Sequence, residues 1–301
     1  MPPVRIAKGH MNCLGIDIGG TSVKLAILRD SQVVCTSQSS SYSRADTPQL
    51  IAAIREAAAG APAQIDSAGV CVPGIYDAQK ECVNLSVNVP GLTGIRLPEL
   101  LSEAIARPVV QLTVASDAVA TGYDIFVTRK LTGRLLVLAM GTGIGAAVLD
   151  DGRPLWVDGH TPGHVGQLDV SLDDSAPVGP DGGAGSLEAY TGAPAIAMKY
   201  GGDVPAAVAS WHGDEPPLRA LARAIRICHA MYRPHHVCLA GGIGIHLGHV
   251  LARLRALIET SLTNIARSGW TLTLADSEMH AACGAARLAA RDAATRLSSR
   301  D

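Results

Sequence analysis

Two stretches of this chain carry the same pattern of apolar and polar positions. Apolar runs at 14–18 and 23–28 flank a turn of Gly19, Gly20 and Thr21, and runs at 135–140 and 144–149 flank Gly141, Thr142 and Gly143. Gly20 and Thr21 align with Gly141 and Thr142, and residues 25–28 with 146–149. Runs this short, bounded by glycine, read as strands. Their recurrence predicts a duplicated unit, each copy opening on a hairpin.

Elsewhere the pattern alternates between short strands and amphipathic helices. The first meander continues through 32–36. A helix is predicted over 47–59, with Thr47 as N-cap and Pro48 at its first position. A buried strand at 68–72 ends in Pro73 and Gly74, a helix covers 97–105, and a strand follows at 108–112. At 115–124 a strand end, Ser116, Asp117 and a helix succeed one another, which sets Asp117 at a helix start. Beyond the second hairpin, 158–167 and 173–185 are glycine-rich loops. Helices follow from Ser186 and over 216–231. A strand at 236–240 runs into Gly241, Gly242, Ile243 and Gly244. Residues 246–266 read as a helix, 271–274 as a strand and 281–297 as a closing helix. The class is α/β.

Composition narrows the picture. The 301 residues are 48% hydrophobic and 17% charged, enough for the cores of two domains. Aromatics make up 3%, with Phe126 the only phenylalanine, so Ala, Val, Leu and Ile must fill the interior. A net charge of −2 gives no electrostatic reason to expect nucleic acid or an anionic membrane as partner. No apolar stretch reaches membrane-spanning length. The seven cysteines, scattered without a C-x-x-C pair, read as buried free thiols of a reducing, cytoplasmic setting. Residues 1–10 hold charges and two prolines and read as a loose leader, with Met11 an alternative start.

Three features carry candidate chemistry. Glycine turns let backbone N–H groups cradle an anion. A carboxylate beside one, as at Asp17, would repel bare phosphate and welcome phosphate carrying Mg²⁺. The same residues also fit a plain hairpin with a solvated Asp17. Asp117 stands where open α/β sheets bring ligands, although an aspartate there is equally a helix cap. The glycines at 241–244 can pack backbone against a planar base, a weak signal alone.

In this order, the parts resemble the ROK family of bacterial sugar kinases, within the sugar kinase, actin and heat-shock ATPase superfamily. The resemblance covers about residues 12–290. It implies two duplicated ribonuclease H-like (actin-like ATPase) domains with a cleft between them. Residues 1–116, joined by the C-terminal helix at about 281–301, would form the smaller domain and 117–280 the larger. The small residues at 282–286 would make a tight interdomain contact. Asp117 matches the catalytic base of the family's N-D-A-N-A-A stretch, whose first Asn is Ser116 here. By the same resemblance, Gly19, Gly20, Thr21, Gly141, Thr142 and Gly143 would hold the triphosphate. Gly241, Gly242 and Gly244 would border adenosine, and Asp17 would steer Mg²⁺ through water. Gly74, Asn88, Ser116, His164 and Glu188 would face the acceptor.

The chain departs from the family pattern at its zinc site. Where the family has G-E-x-G-H, this chain has Gly163, His164, Val165, Gly166 and Gln167. Anchored on residues 187–190, the three zinc cysteines are replaced by Gly179, Asp181 and Ser186. Without thiolates an S₃N zinc site cannot form, and the loop must be held by hydrogen bonds. His160 and His164, four apart, make a poor metal pair because Pro162 and Gly163 bar a helix between them. The expected activity is ATP- and Mg²⁺-dependent phosphorylation of a sugar or sugar-like hydroxyl by a homodimer. The alternatives are a cyclitol or other non-glucose acceptor, or a non-catalytic sugar-binding sensor. A DNA-binding repressor is disfavoured by the short leader.

Overall fold

Both hairpins form, and each lies within a five-stranded sheet. β1 (Asn12–Ile18), β2 (Val23–Arg29) and β3 (Gln32–Gln38) make an antiparallel meander. β4 (Ser67–Cys71) joins β1 in parallel; β5 (Ile75–Asp77) and β6 (Cys82–Leu85) pair apart as a small ribbon; β7 (Leu112–Ala115) adds in parallel to β4. The second sheet repeats the plan. β8 (Arg134–Met140), β9 (Ile144–Asp150) and β10 (Arg153–Pro154) form the meander, and β11 (His236–Ala240) and β12 (Thr271–Leu274) extend it in parallel from β8. The orders 3-2-1-4-7 and 10-9-8-11-12 are one topology written twice. This is the duplicated α/β fold that the apolar pattern predicts.

The computed structural model describes residues 11–107, 109, 111–157, 163–179 and 183–298. One compact unit runs to Ser116 and resumes at Ala281; the other is Asp117–His280. Each has its own aliphatic core. The first centres on Leu14, Ile16, Leu25, Leu50 and Val70, and the second on Leu136, Leu138, Ile225, Val237 and Leu239. Among the described residues no helix is long and apolar enough to cross a membrane.

Several boundaries differ from expectation for local reasons. The first helix, α1, spans Thr47–Ala57, but its N-cap is Asp46. The Asp46 carboxylate accepts from the Gln49 N–H at 2.9 Å, and the Gln49 side chain returns a bond to the Asp46 N–H. The Thr47 hydroxyl instead donates to the Gly91 carbonyl. The predicted strand at 108–112 lies at Leu112–Ala115, with Pro108 outside the described residues. The long helix expected at 246–266 is a 3-10 turn, Leu247–Val250, followed by Leu251–Thr260. It stops where Ser261, Thr263 and Asn264 offer the backbone competing side-chain partners. Cys35, expected to be buried, is exposed on edge strand β3, while Cys13, Cys71, Cys228, Cys238 and Cys283 are buried. The leader at 1–10 falls outside the described residues.

In the first unit the C-terminal helix, His280–Ser298, lies directly on strand backbone. Gly15 and Gly69 sit opposite each other in the β1–β4 register. A Cβ at Gly15 would overlap the Ala282 carbonyl oxygen, and one at Gly69 the Ala285 carbonyl oxygen. Ala282, Ala285, Ala286 and Ala289 are fully buried on the facing side. The tight contact made by residues 282–286 is thus with this unit's own sheet. Gly69→Ala is expected to destabilise the protein by about 1–3 kcal/mol through overpacking. Gly60→Ala, where an added Cβ meets open space, should cost nothing. Denaturant titration of both variants measures the difference.

Candidate functional site

At one edge of each sheet the parallel strands deliver their carboxyl ends together, and the motif residues lie there. In the first unit Asp17, near the end of β1, pairs in register with Cys71 of β4, and Cys71 with Ala115 of β7. Asp17, Gly74 and Ser116 therefore emerge at the same sheet edge. Across the hairpin Asp17 stands opposite Lys24. The bend closes by Gly19 N–H donating to the Ser22 carbonyl at 3.0 Å. Tyr42 pins it from outside: its hydroxyl donates to the Gly19 carbonyl at 2.6 Å and its N–H to the Thr21 carbonyl. Burial and the Asp17 charge together push the Tyr42 phenol far above its usual range, so it stays a donor.

Neither Gly19, Gly141 nor Gly143 adopts a positive φ. At Gly19 and Gly143 the lack of a side chain allows close packing, against the Ser22 carbonyl and Glu188, while at Gly141 it leaves open space, with nothing within 4 Å of a Cβ built there. Gly74 does take φ +124°, beside the Leu85 carbonyl. Asn88 is an exposed loop residue three positions beyond it.

The second unit gathers its motif residues more tightly. Asp117 is the first residue of α3 (Asp117–Thr128). Its carboxylate accepts from the Ala118 N–H at 2.7 Å, and Oδ1 lies 3.2 Å from where a Cβ of Gly145 on β9 would stand. Asp117 keeps solvent-accessible surface, yet enough protein surrounds its carboxyl for desolvation to raise its pKa, against the pull of the Ala118 bond. An aspartate in that state combines two properties of a base: reach to solvent or substrate, and a raised proton affinity.

Glu188 has a structural task that its sequence position did not reveal. It lies in α4 (Leu187–Thr191), capped by Ser186. Its Oε2 accepts from the Ile144 N–H at 2.9 Å and would stand 2.8 Å from a Cβ of Gly143. The Ala193 N–H, at the start of the next helix, α5 (Ala193–Tyr200), donates to the Gly141 carbonyl at 2.9 Å. These two bonds clamp the Gly141–Thr142–Gly143 turn from one side. Gly166, two residues past the exposed His164, abuts the Ile144 carbonyl and Glu188. Glu188 is therefore shared between the turn and whatever its other oxygen faces. At the end of β11, Gly241 to Gly244 form a single helical turn rather than the open loop expected. Gly241, at φ +77°, lies so close to the Met140 carbonyl that any Cβ would overlap it.

Among its described residues, the loop at 173–185 closes on itself through backbone bonds. Gly179 N–H donates to the Gly183 carbonyl, Gly185 N–H to Pro177 and Val170 N–H to Gly185, at 2.8–2.9 Å. A Cβ at Gly179 would lie 2.7 Å from Ser186 Oγ, and one at Gly183 would lie 3.0 Å from Gln167 Oε1. Of the positions matched to the family's zinc ligands, Gly179 and Ser186 therefore lie together, and Gln167 reaches Gly183 beside them. Asp181 and His160 lie outside the described residues. No group of three or more His, Cys, Asp or Glu suited to a metal occurs among the described residues.

A family model described as the ROK family matches residues 13–292. The chain belongs to the ROK family. N-acetylmannosamine kinase of Escherichia coli is 26% identical over 273 residues, covering 84% of this chain and 88% of the relative. N-acetylmannosamine kinase of Vibrio cholerae is 26% identical over 170 residues, covering 54% of this chain. That match spans little more than half, 56%, of the Vibrio protein. Among solved structures, a ROK family glucokinase from Streptomyces griseus superposes with a TM-score of 0.72 at 18% identity, covering 94% of this chain and all of that one. At that identity the superposition speaks for the fold: this chain has the actin-like ATPase fold of its family.

One buried cluster escaped sequence reasoning. Asp124 sits two helical turns beyond Asp117 on α3, 4% exposed. It accepts at 2.6 Å from Nδ1 of His280, whose Nε2 meets Asp276 at 2.7 Å. Arg129, the residue after α3, joins them, 3.8 Å from Asp276 and bonded to the Leu274 carbonyl. Burial alone would lower the His280 pKa; the bonds and charges of Asp124 and Asp276 outweigh it and raise it. Asp276 is held low, first by its His280 bond. The only signal in the sequence was an acid on an apolar stretch of helix. Because the folded pKa of His280 is raised, its stabilisation is complete below its unfolded value, near 6.5, and is lost as pH climbs through the folded value. The denaturant midpoint of the wild type should therefore fall above pH 6.5, and that of His280→Gln should vary less over the same window.

Proposed function

We propose that this ROK family member transfers the γ-phosphoryl group of Mg²⁺-ATP to a hydroxyl of a sugar, with an N-acylated amino sugar as the preferred acceptor. The observation that carries the reading is Asp117: a reachable carboxylate of raised pKa whose Oδ1 lies 3.2 Å from a Cβ built at Gly145, two residues past the clamped Gly141–Gly143 bend. Asp117 takes the proton from the acceptor hydroxyl as its oxygen attacks phosphorus. The bond from phosphorus to the β-phosphate oxygen breaks, and ADP departs.

Glycine turns at 19–21 and 141–143 hold the triphosphate through backbone N–H groups. Gly241, Gly242 and Gly244 border adenosine, where Glu278 Oε1 stands 4.0 Å from a Cβ built at Gly242. Asp17, a half-buried oxygen donor at the strand edge, fits a Mg²⁺ held through water, since Mg²⁺ binds by one or two carboxylates plus substrate phosphates. Bound there, the ion neutralises charge on the phosphates. Gly74, Asn88, Ser116, His164 and Glu188 face the acceptor. The N-acetylmannosamine kinases among its relatives support an amino-sugar acceptor. So does the exchange of the family's pocket glutamate for His164, which leaves fewer acceptors for a remote hydroxyl.

Two measurements test this. Asp117→Asn keeps the Ala118 bond and removes the proton acceptor. Turnover should fall by roughly two to four orders of magnitude, together with the acid limb of the pH profile, which in wild type lies above the ordinary carboxylate value. Nucleotide binding and folding should survive, since a desolvated carboxylate whose pKa is raised costs stability above its unfolded pKa. Near wild-type turnover would rule Asp117 out.

For the acceptor, ADP release should be compared across glucose, N-acetylmannosamine, N-acetylglucosamine and a cyclitol. The amino sugars should lead glucose by about tenfold to a hundredfold in kcat/KM, the effect of about 1–3 kcal/mol from one unpaired buried hydroxyl. His164→Glu should raise relative activity on glucose. A wild type that already prefers glucose, with a preference unmoved by His164→Glu, would remove His164 from the pocket.

A further inference from the structure

A second cavity lies wholly within the unit Asp117–His280, against the helix Pro216–Tyr232 and the segment that follows Leu251–Thr260. Its volume is about 960 Å³, and none of its lining residues belongs to the glycine turns or the acceptor set. Arg219, Arg223 and Arg226 project along one face of the helix at i, i+4 and i+7, and Arg233 adds a fourth guanidinium at the helix end. Among the described residues, the only carboxylate in the lining is Asp169. Arg223 donates to the Ser171 carbonyl. Among the described residues, Arg226 Nε is buried without a hydrogen-bond partner.

His229 supplies an independent observation. It lines the same cavity, is 3% exposed, and its Nε2 has no partner among the described residues. A buried polar atom left unpaired costs about 1–3 kcal/mol, so this one invites a ligand atom. Guanidinium forks match the paired oxygens of phosphate. Ile227 on the same helix, with Leu257 and Leu262, gives the lining an apolar part, and the volume exceeds what bare phosphate needs. Like-charged arginines also make this face a poor partner for its own copy.

We propose that the cavity binds a small phosphate-bearing organic anion, with the phosphate on Arg219, Arg226 and His229 and the organic part on the apolar lining. Its reporter is built in: the Trp270 ring lies 4.6 Å from His229, edge to face. Pyrophosphate, used as the probe, should change tryptophan fluorescence saturably in the wild type, and sulfate at matched ionic strength should not. Trp270→Phe should abolish the signal while calorimetry still detects binding. Arg226→Gln and the exposed-site variant Arg219→Gln should each weaken binding about tenfold or more, the loss of one charge-assisted hydrogen bond. Asp17→Asn should leave this affinity within twofold.

Undiminished binding in the arginine variants would overturn the proposal, as would an equal response to sulfate or no response at all. Loss of the signal in Asp17→Asn alone would place pyrophosphate at the glycine turns and also overturn it. Should Arg226→Gln fail to fold, Arg219→Gln decides the question by itself. Failure here would leave the kinase reading intact, because that reading is measured by ADP release.

Discussion

Each unit depends on one helix coming close enough to a twisted sheet to seal its core. A chain with 3% aromatic residues cannot do this by filling a wide gap with rings. It narrows the gap instead. In the first unit the glycines are on the strands, Gly15 and Gly69, and alanines on the C-terminal helix meet their backbone. In the second unit the arrangement is inverted. Gly122 is on helix α3, and Leu149 and Val137 of the strands reach into the space a side chain would fill. Two copies of one topology thus place the small residue on opposite partners, against helix backbone in the first unit and against side-chain tips of the strands in the second. Apolar periodicity is blind to this difference, since glycine and alanine score weakly on either element.

That packing also sets where α3 begins. The helix starts with Asp117 beside β9 and, two turns later, buries Asp124 against His280, the first residue of the C-terminal helix. One exposed carboxylate of raised pKa and one buried carboxylate paired with a histidine thus share a single rigid element. Their environments differ by partner, not by burial alone. Asp117 has the Ala118 N–H, a neutral donor that cannot outweigh desolvation. His280 lies between two acids, whose charges and bonds do outweigh it. An aspartate left with neutral donors is the one free to exchange a proton.

Much of this was legible in the chain because it depended on local order. Strand, glycine turn and strand, repeated, predict two meanders, and a Ser-Asp step before a helix predicts a carboxylate at a sheet edge. Three kinds of feature were not legible. The ribbon at 75–85 is built from only seven strand residues, Ile75–Asp77 and Cys82–Leu85, too few for a period to show. The capping role of Asp46 was hidden by an equally suitable Thr47 beside it. The clamp of Glu188 on the Ile144 N–H joins residues 44 positions apart, and no spacing rule reaches that far.

The clamp bears on how the loop at 173–185 can lose its cysteines without undoing the site. A metal in such a loop fixes side chains by bonds that need no neighbours. Here the described parts of the loop are held by the Gly179 N–H on the Gly183 carbonyl, the Gly185 N–H on the Pro177 carbonyl and the Leu187 N–H on the Leu168 carbonyl. These bonds set the start of α4, which carries Glu188, and Glu188 in turn holds the Gly141–Gly143 bend. The chain of support therefore runs from loop to helix to turn. Each such bond contributes only about 0.5–1.5 kcal/mol net, so this support rests on their number rather than on any one of them. It constrains the turn through Glu188 Oε2 while leaving His164, at the free end of the adjoining 3-10 turn, unconstrained by that clamp. The support is thus firmest at the Gly141–Gly143 bend and does not extend to His164, so exchange of that side chain leaves the hydrogen bonds of the bend in place.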